Sequence, residues 1–90
     1  MEYIKEDGSK IEFITKLENP DNYTLFHHFK GIDYAIITIA PHSETRELHV
    51  VYESMSDAHH CVRPAEMFFS KMDTDKYPEI KQEYRFQKID

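Results

Sequence analysis

The stretch from Tyr34 to Glu53 constrains the fold more than any other part of the chain. Residues 34–40, Tyr-Ala-Ile-Ile-Thr-Ile-Ala, are β-branched and apolar at odd and even positions alike. A strand reads that way when both of its faces are covered. Residues 47–53 instead alternate, with Leu48, Val50 and Tyr52 on one side and Glu47, His49, Val51 and Glu53 on the other. That period of two predicts a second strand with one mixed face. Between them lie Pro41-His-Ser-Glu-Thr-Arg46, polar and within the range of a hairpin loop. Two long strands joined in this way require a sheet.

The remaining elements are shorter. His60 to Arg63 reads as a third strand, and the alternation in 83–88 predicts a closing one. Pro64 opens a helix expected over 64–72, sitting at its first position, where a missing donor does no harm. Ala65, Phe68, Phe69 and Met72 then form one apolar stripe. Residues 18–23 and 73–79 are loops by their Asn, Asp and Pro content. Near the N-terminus, Asp7-Gly8 predicts a hairpin. A two-residue turn there pairs Ile4 with Ile11 and Glu2 with Phe13, and sets Lys5 against Lys10. Ser9-x-x-Glu12 offers a competing helix start, with a helix ending before Pro20. The expectation is a mainly β chain: a small antiparallel barrel over 23–90, one short helix, and an N-terminal hairpin or extension over 1–22.

Ninety residues hold one core, and 40% hydrophobic content with six Tyr and six Phe is enough to fill it. No apolar run approaches the ~20 residues of a membrane span, so no membrane role is expected. Eleven Lys and Arg against seventeen Asp and Glu give a net charge of −6. Nucleic-acid binding is disfavoured, because phosphate neutralisation along a polymer needs a concentrated cationic face. A single local cationic pocket remains compatible with that balance. Cys61 is the only cysteine, so no internal disulfide forms, and a cytoplasmic, reducing setting is expected.

Several short motifs stand in one order: His28-Phe-Lys-Gly31, Tyr34, His42-Ser-Glu-Thr45, Val51-Tyr52, Val62-Arg-Pro64, Glu66-Met-Phe68 and Arg85-Phe86. The combination closely resembles an uncharacterised bacterial family, domain of unknown function 1653, over about Tyr23 to Phe86. The resemblance implies an SH3-like small β-barrel and brings no established activity. Two departures stand out. Cys61 occupies a position where the family usually shows Trp, which marks it as a packing site rather than a nucleophile. The 54–60 loop lacks the glycine common there.

Among the matching positions, the candidate ligand-binding residues are His28, Lys30, His42, Glu44, Tyr52, Arg63 and Arg85. His28, Lys30, Arg63 and Arg85 could define one positive pocket for a phosphate or carboxylate; separate surface ion pairs are the plainer alternative. His42, Ser43 and Glu44 are adjacent, and adjacent residues point in different directions, so they make a poor local triad. They read first as a turn. His27-His28 and His59-His60 offer one ligand per strand face at most, so neither a metal site nor a cofactor is expected. Two classes of function follow. One is a binding module for a small anionic ligand or a protein segment. The other is a small enzyme using His42 or His28 as acid–base with Arg63 as anion clamp. Binding leads, because catalysis in so short a chain needs a deeper, water-excluding site.

Overall fold

Tyr34 and Tyr52 stand on neighbouring strands of one antiparallel sheet in the computed structural model, which describes residues 1–89. The elements in chain order are β1 (Glu2–Ile4), β2 (Lys10–Glu12), β3 (Leu25–His28), β4 (Asp33–Pro41), β5 (Leu48–Ser54), β6 (His60–Pro64), α1 (Ala65–Phe68) and β7 (Phe86–Ile89). Five strands form the main sheet in the order β6-β5-β4-β3-β7, and β1-β2 pair separately. The chain is mainly β, as the alternation predicts. β3 was not foreseen: only four residues long, it carries too little alternation to register, yet it holds the fully buried Phe26. β7 begins three residues later than expected, because the preceding chain forms only an isolated bridge from Tyr84 to Lys71.

Closure into a barrel is not present in the hydrogen bonding. β6 and β7 end the sheet on opposite sides, and no ladder joins them among the described residues. The sheet is nevertheless strongly curled. Laid flat, four strand steps of about 4.8 Å would set these edges about 19 Å apart. The Arg63 guanidinium of β6 instead lies 5.8 Å from the Phe86 ring of β7. A bulge contributes to the bend: the β4–β5 register shifts between Ile36 and Thr38, leaving Ile37 unpaired across the ladder. Its carbonyl and that of Ile36 accept from Leu17 N at 3.2 Å and Lys16 N at 2.8 Å.

Four hairpin turns follow two plans. Lys5 N donates to Ser9 O and Gly8 N to Lys5 O; His28 N donates to Ile32 O and Gly31 N to His28 O. Both are three-residue loops ending in a positive-φ glycine, Gly8 at 88° and Gly31 at 102°. The loops 43–46 and 55–58 have four residues and end in Arg46 and Ala58, also at positive φ.

The first of these turns corrects the expected N-terminal register. With Gly8 third in a three-residue loop, the pairs are Tyr3–Ile11 and Ile4–Lys10 rather than Ile4–Ile11. One residue of slip exchanges the faces of β1. Tyr3 turns inward to stack on Phe69 at 4.5 Å, and Ile4 is left 57% exposed. Lys10 then meets Glu2 and Glu12 instead of Lys5. The competing helix does not form at Ser9. The reciprocal capping bonds occur six residues later, where Thr15 N donates to Glu18 Oε1 and Glu18 N to Thr15 Oγ1.

The helix is also shorter than its apolar stripe. Pro64 is extended, at φ −53° and ψ 136°, and ends β6 rather than occupying the first helical position. Ser70 donates from both N and Oγ to the Met67 carbonyl, and Met72 N turns to Glu83 O, so the winding stops. The stripe is buried all the same: Ala65, Phe68, Phe69 and Met72 are all in the core. Phe68 stacks on Phe86 at 4.1 Å, and Phe13, outside the main sheet, packs between Phe26 and Phe69.

Candidate functional site

One face of the curled sheet carries a continuous row of rings. Tyr52 of β5, Tyr34 of β4 and Phe86 of β7 have centroids 5.2–5.6 Å apart, and His28 of β3 lies 4.7 Å from Phe86. Cys61 and Arg63 extend the row onto β6, two residues apart and therefore on one face. The curl brings Arg63 back over Phe86, while its Nε donates to Tyr52 Oη at 3.4 Å.

A second wall comes from outside the sheet. The tight turn after β3 carries Phe29 and Lys30 to its tip, and the α1–β7 connection passes beside it. Phe29 meets Tyr77 of that connection at 4.8 Å. Backbone and side-chain bonds hold the two together: Phe29 N donates to Arg85 O, and Gln82 Nε2 donates to the carbonyls of His27 and Tyr84. Between the walls is a concavity of about 490 Å³. Besides the rings it is lined by Lys30, Arg63, Lys76 and Arg85, with Asp73 as its one acid among the described residues. None of the four cations has an ion pair among the described residues. The Arg85 Nε is buried with no hydrogen-bond partner among the described residues, an expensive arrangement for a charged donor.

His28 stands inside this field. Burial, and then the charges of Arg63, Lys30 and Arg85, press its imidazole down to about 4. The ring is neutral at neutral pH. Its Nδ1 faces Lys30 N at 3.2 Å as an acceptor, so the network assigns the proton to Nε2. Tyr34 is raised above the usual phenol range, chiefly by burial and then by Tyr52, and stays a neutral hydroxyl.

Five of the seven candidate residues, His28, Lys30, Tyr52, Arg63 and Arg85, therefore line one concavity. His42 and Glu44 do not. His42 Nδ1 accepts from Glu44 N at 3.1 Å and Thr45 N at 3.3 Å, so its ring holds the tip of the β4–β5 turn. Cys61 is only partly buried: it packs against the core and also lines the concavity. Phe29, Tyr34, Asp73, Lys76, Tyr77 and Phe86 are lining residues that the candidate set omits. A signal for most of them was present. Phe29-Lys30, Lys76-Tyr77 and Tyr84-Arg85-Phe86 are the places where an aromatic adjoins a Lys or Arg in the sequence, and all three contribute here.

A slightly larger concavity, about 570 Å³, lies between the N-terminal hairpin and residues 66–71. Its charges, including Lys5, Glu6, Asp7, Glu66 and Lys71, are of both signs, so it has no comparable field. Elsewhere the buried Glu53 carboxylate accepts from Lys16 at 2.5 Å and faces His60 at 3.2 Å; these contacts, Lys16 foremost, hold it below the usual carboxylate range. That cluster is internally satisfied. Among the described residues no three His, Cys, Asp or Glu converge to hold a metal ion, and no helix is long and apolar enough to cross a membrane.

A family model described as "Protein of unknown function (DUF1653)" matches residues 24–88, which include the main sheet up to Lys88 and every described residue lining the concavity. No curated protein and no solved structure matches the chain.

Proposed function

The chain belongs to the DUF1653 family, and we propose that it acts as a binding module whose ring-lined concavity takes a small anionic ligand. One observation carries this reading. On a chain of net charge −6, four cations that have no ion pair among the described residues converge on one concavity. Like charges held together cost free energy, and an anion relieves that cost. Two of them are arginines, whose planar forks suit a carboxylate or phosphate. In this reading the curled sheet is an SH3-like barrel left unzipped between β6 and β7, with the ligand seated near that seam. The protein is read as cytoplasmic.

Acid–base catalysis by His28 is the weaker reading. An imidazole titrating at about 4 is neutral at neutral pH, so it offers a donor from Nε2 but little basicity. The test is an NMR titration of the whole protein with inorganic phosphate. Amide shifts should concentrate at 28–31, 61–63, 76–77 and 85–86. Combined Arg63→Ala and Lys76→Ala should abolish them without loss of fold. Shifts centred on 41–46, or no response at millimolar phosphate, would reject the reading.

A further inference from the structure

We infer that the ligand of this concavity is a phosphate monoester whose organic part includes a flat aromatic ring, as in a nucleoside monophosphate. The inference rests on the anion-binding reading above and adds a second requirement to it. A site for a bare anion needs cations and hydrogen-bond donors; it has no use for rings held partly open to solvent beside them. Here Phe29 and Tyr77 are only half-buried, 4.8 Å apart and inclined by 55°. Each has a lysine near its face, with Lys30 Nζ 5.8 Å from the Phe29 centroid and Lys76 Nζ 5.5 Å from that of Tyr77. Cation and ring thus alternate along the wall made by the turn and the connection. On the sheet side the pattern repeats, with Arg63 over Phe86 and bonded to Tyr52.

Size points the same way. A concavity of about 490 Å³ is within the range of small-molecule sites and is far larger than one phosphate group fills. The remaining volume lies between aromatic walls, where a planar ring gains by stacking. Neutral His28, whose Nδ1 accepts from Lys30 N and whose Nε2 has no partner among the described residues, can donate to a ring nitrogen, ring carbonyl or phosphate oxygen without adding charge. The occupant is a small molecule rather than a polymer, because further phosphates along a strand would meet the acidic surface of a chain at net −6.

Calorimetry on the whole protein tests this with matched probes: inorganic phosphate, phenyl phosphate, ribose phosphate, AMP, and adenosine without its phosphate. Phenyl phosphate should bind about tenfold or more tighter than inorganic phosphate, and AMP by the same margin over ribose phosphate. Tyr77→Leu, or Phe29→Leu if the first variant fails to fold, should erase that margin, read as the ratio of the ring-bearing and ring-free phosphate affinities within the same variant. An oligonucleotide with a terminal phosphate should bind no tighter than AMP. If ring-bearing and ring-free phosphates bind alike, this inference fails and the anion reading stands. If the oligonucleotide binds much tighter, the small-molecule assignment is wrong and a strand end is the ligand. If adenosine binds as well as AMP, or no probe binds, both readings fall.

Discussion

At the scale of single residues, the most informative side chains are those that close turns. His42 and His28 both present Nδ1 to main-chain amides two or three residues ahead, the task usually given to Asn or Asp. Histidine is not a favoured turn residue, so a functional role for His42 was a fair expectation from sequence; geometry gives it a local one. His42→Ala should therefore cost about 1 kcal/mol, the worth of a turn-closing hydrogen bond, and His42→Asn should recover most of it. Neither change should alter phosphate binding. The glycines make a complementary case. A Cβ on Gly8 or Gly31 would meet nothing within 4 Å, so their requirement is purely backbone. Gly31→Ala should destabilise by about 1–2 kcal/mol, the cost of a left-handed L-residue. Ala58→Gly should show the opposite sign and be smaller, because added unfolded-state entropy offsets part of the relief. Urea midpoints at constant slope would check all of these.

At the scale of elements, a one-residue difference in a turn decides which side of a strand is buried. Asp7-Gly8 signals a hairpin in either register, and the sequence pattern does not separate a two-residue loop from a three-residue one ending in Gly8. What separates them is a distant partner, the Phe69 ring, on which Tyr3 stacks. The observed register predicts that Tyr3→Ala costs about 2–3 kcal/mol, from lost ring burial and stacking. Ile4→Ala should stay within about 0.5 kcal/mol; the reverse ranking in denaturant unfolding would restore the two-residue turn. The same division holds elsewhere. β4 and β5 were legible because an unbroken β-branched apolar run and an alternation, each over seven residues, are local properties. β3 was not, since four residues carry little period and its place between β4 and β7 is set by pairing. The stripe from Ala65 to Met72 correctly marked buried residues, yet its last step is extended chain. Ser70 and the pull of Met72 toward Glu83 end the winding, and neither is encoded in the stripe.

At the scale of the whole molecule, the site depends on convergence, which is why the sequence named some cations of the pocket but not the part of its second wall that the α1–β7 connection supplies. Lys76 and Tyr77 sit in what reads as a plain connecting loop, and only the crossing from α1 to β7 brings them beside Phe29. The assembled field has a thermodynamic signature. In the unfolded chain His28 takes up its proton near the ordinary imidazole value of about 6.5; folded, it resists until about 4. The unfolded state therefore binds more protons in that window, and stability must fall as pH drops through it, levelling off below about 4 as far as this group is concerned. Part of the depression is the charge of Arg63, Lys30 and Arg85. An anion seated among them lessens that part, so proton and anion binding favour each other. Sulfate, a dianion throughout the window, isolates the effect. Thermal unfolding should show Tm falling between about pH 6.5 and 4.5 without sulfate and falling less steeply with it. His28→Gln should remove the sulfate-dependent difference in slope while leaving the fold intact, with the remaining decline coming from carboxylates such as Glu53 and Asp57, which are held below their ordinary range and protonate at lower pH. If sulfate raises Tm equally at every pH in both proteins, the anion binds away from His28, and the concavity is not where it sits.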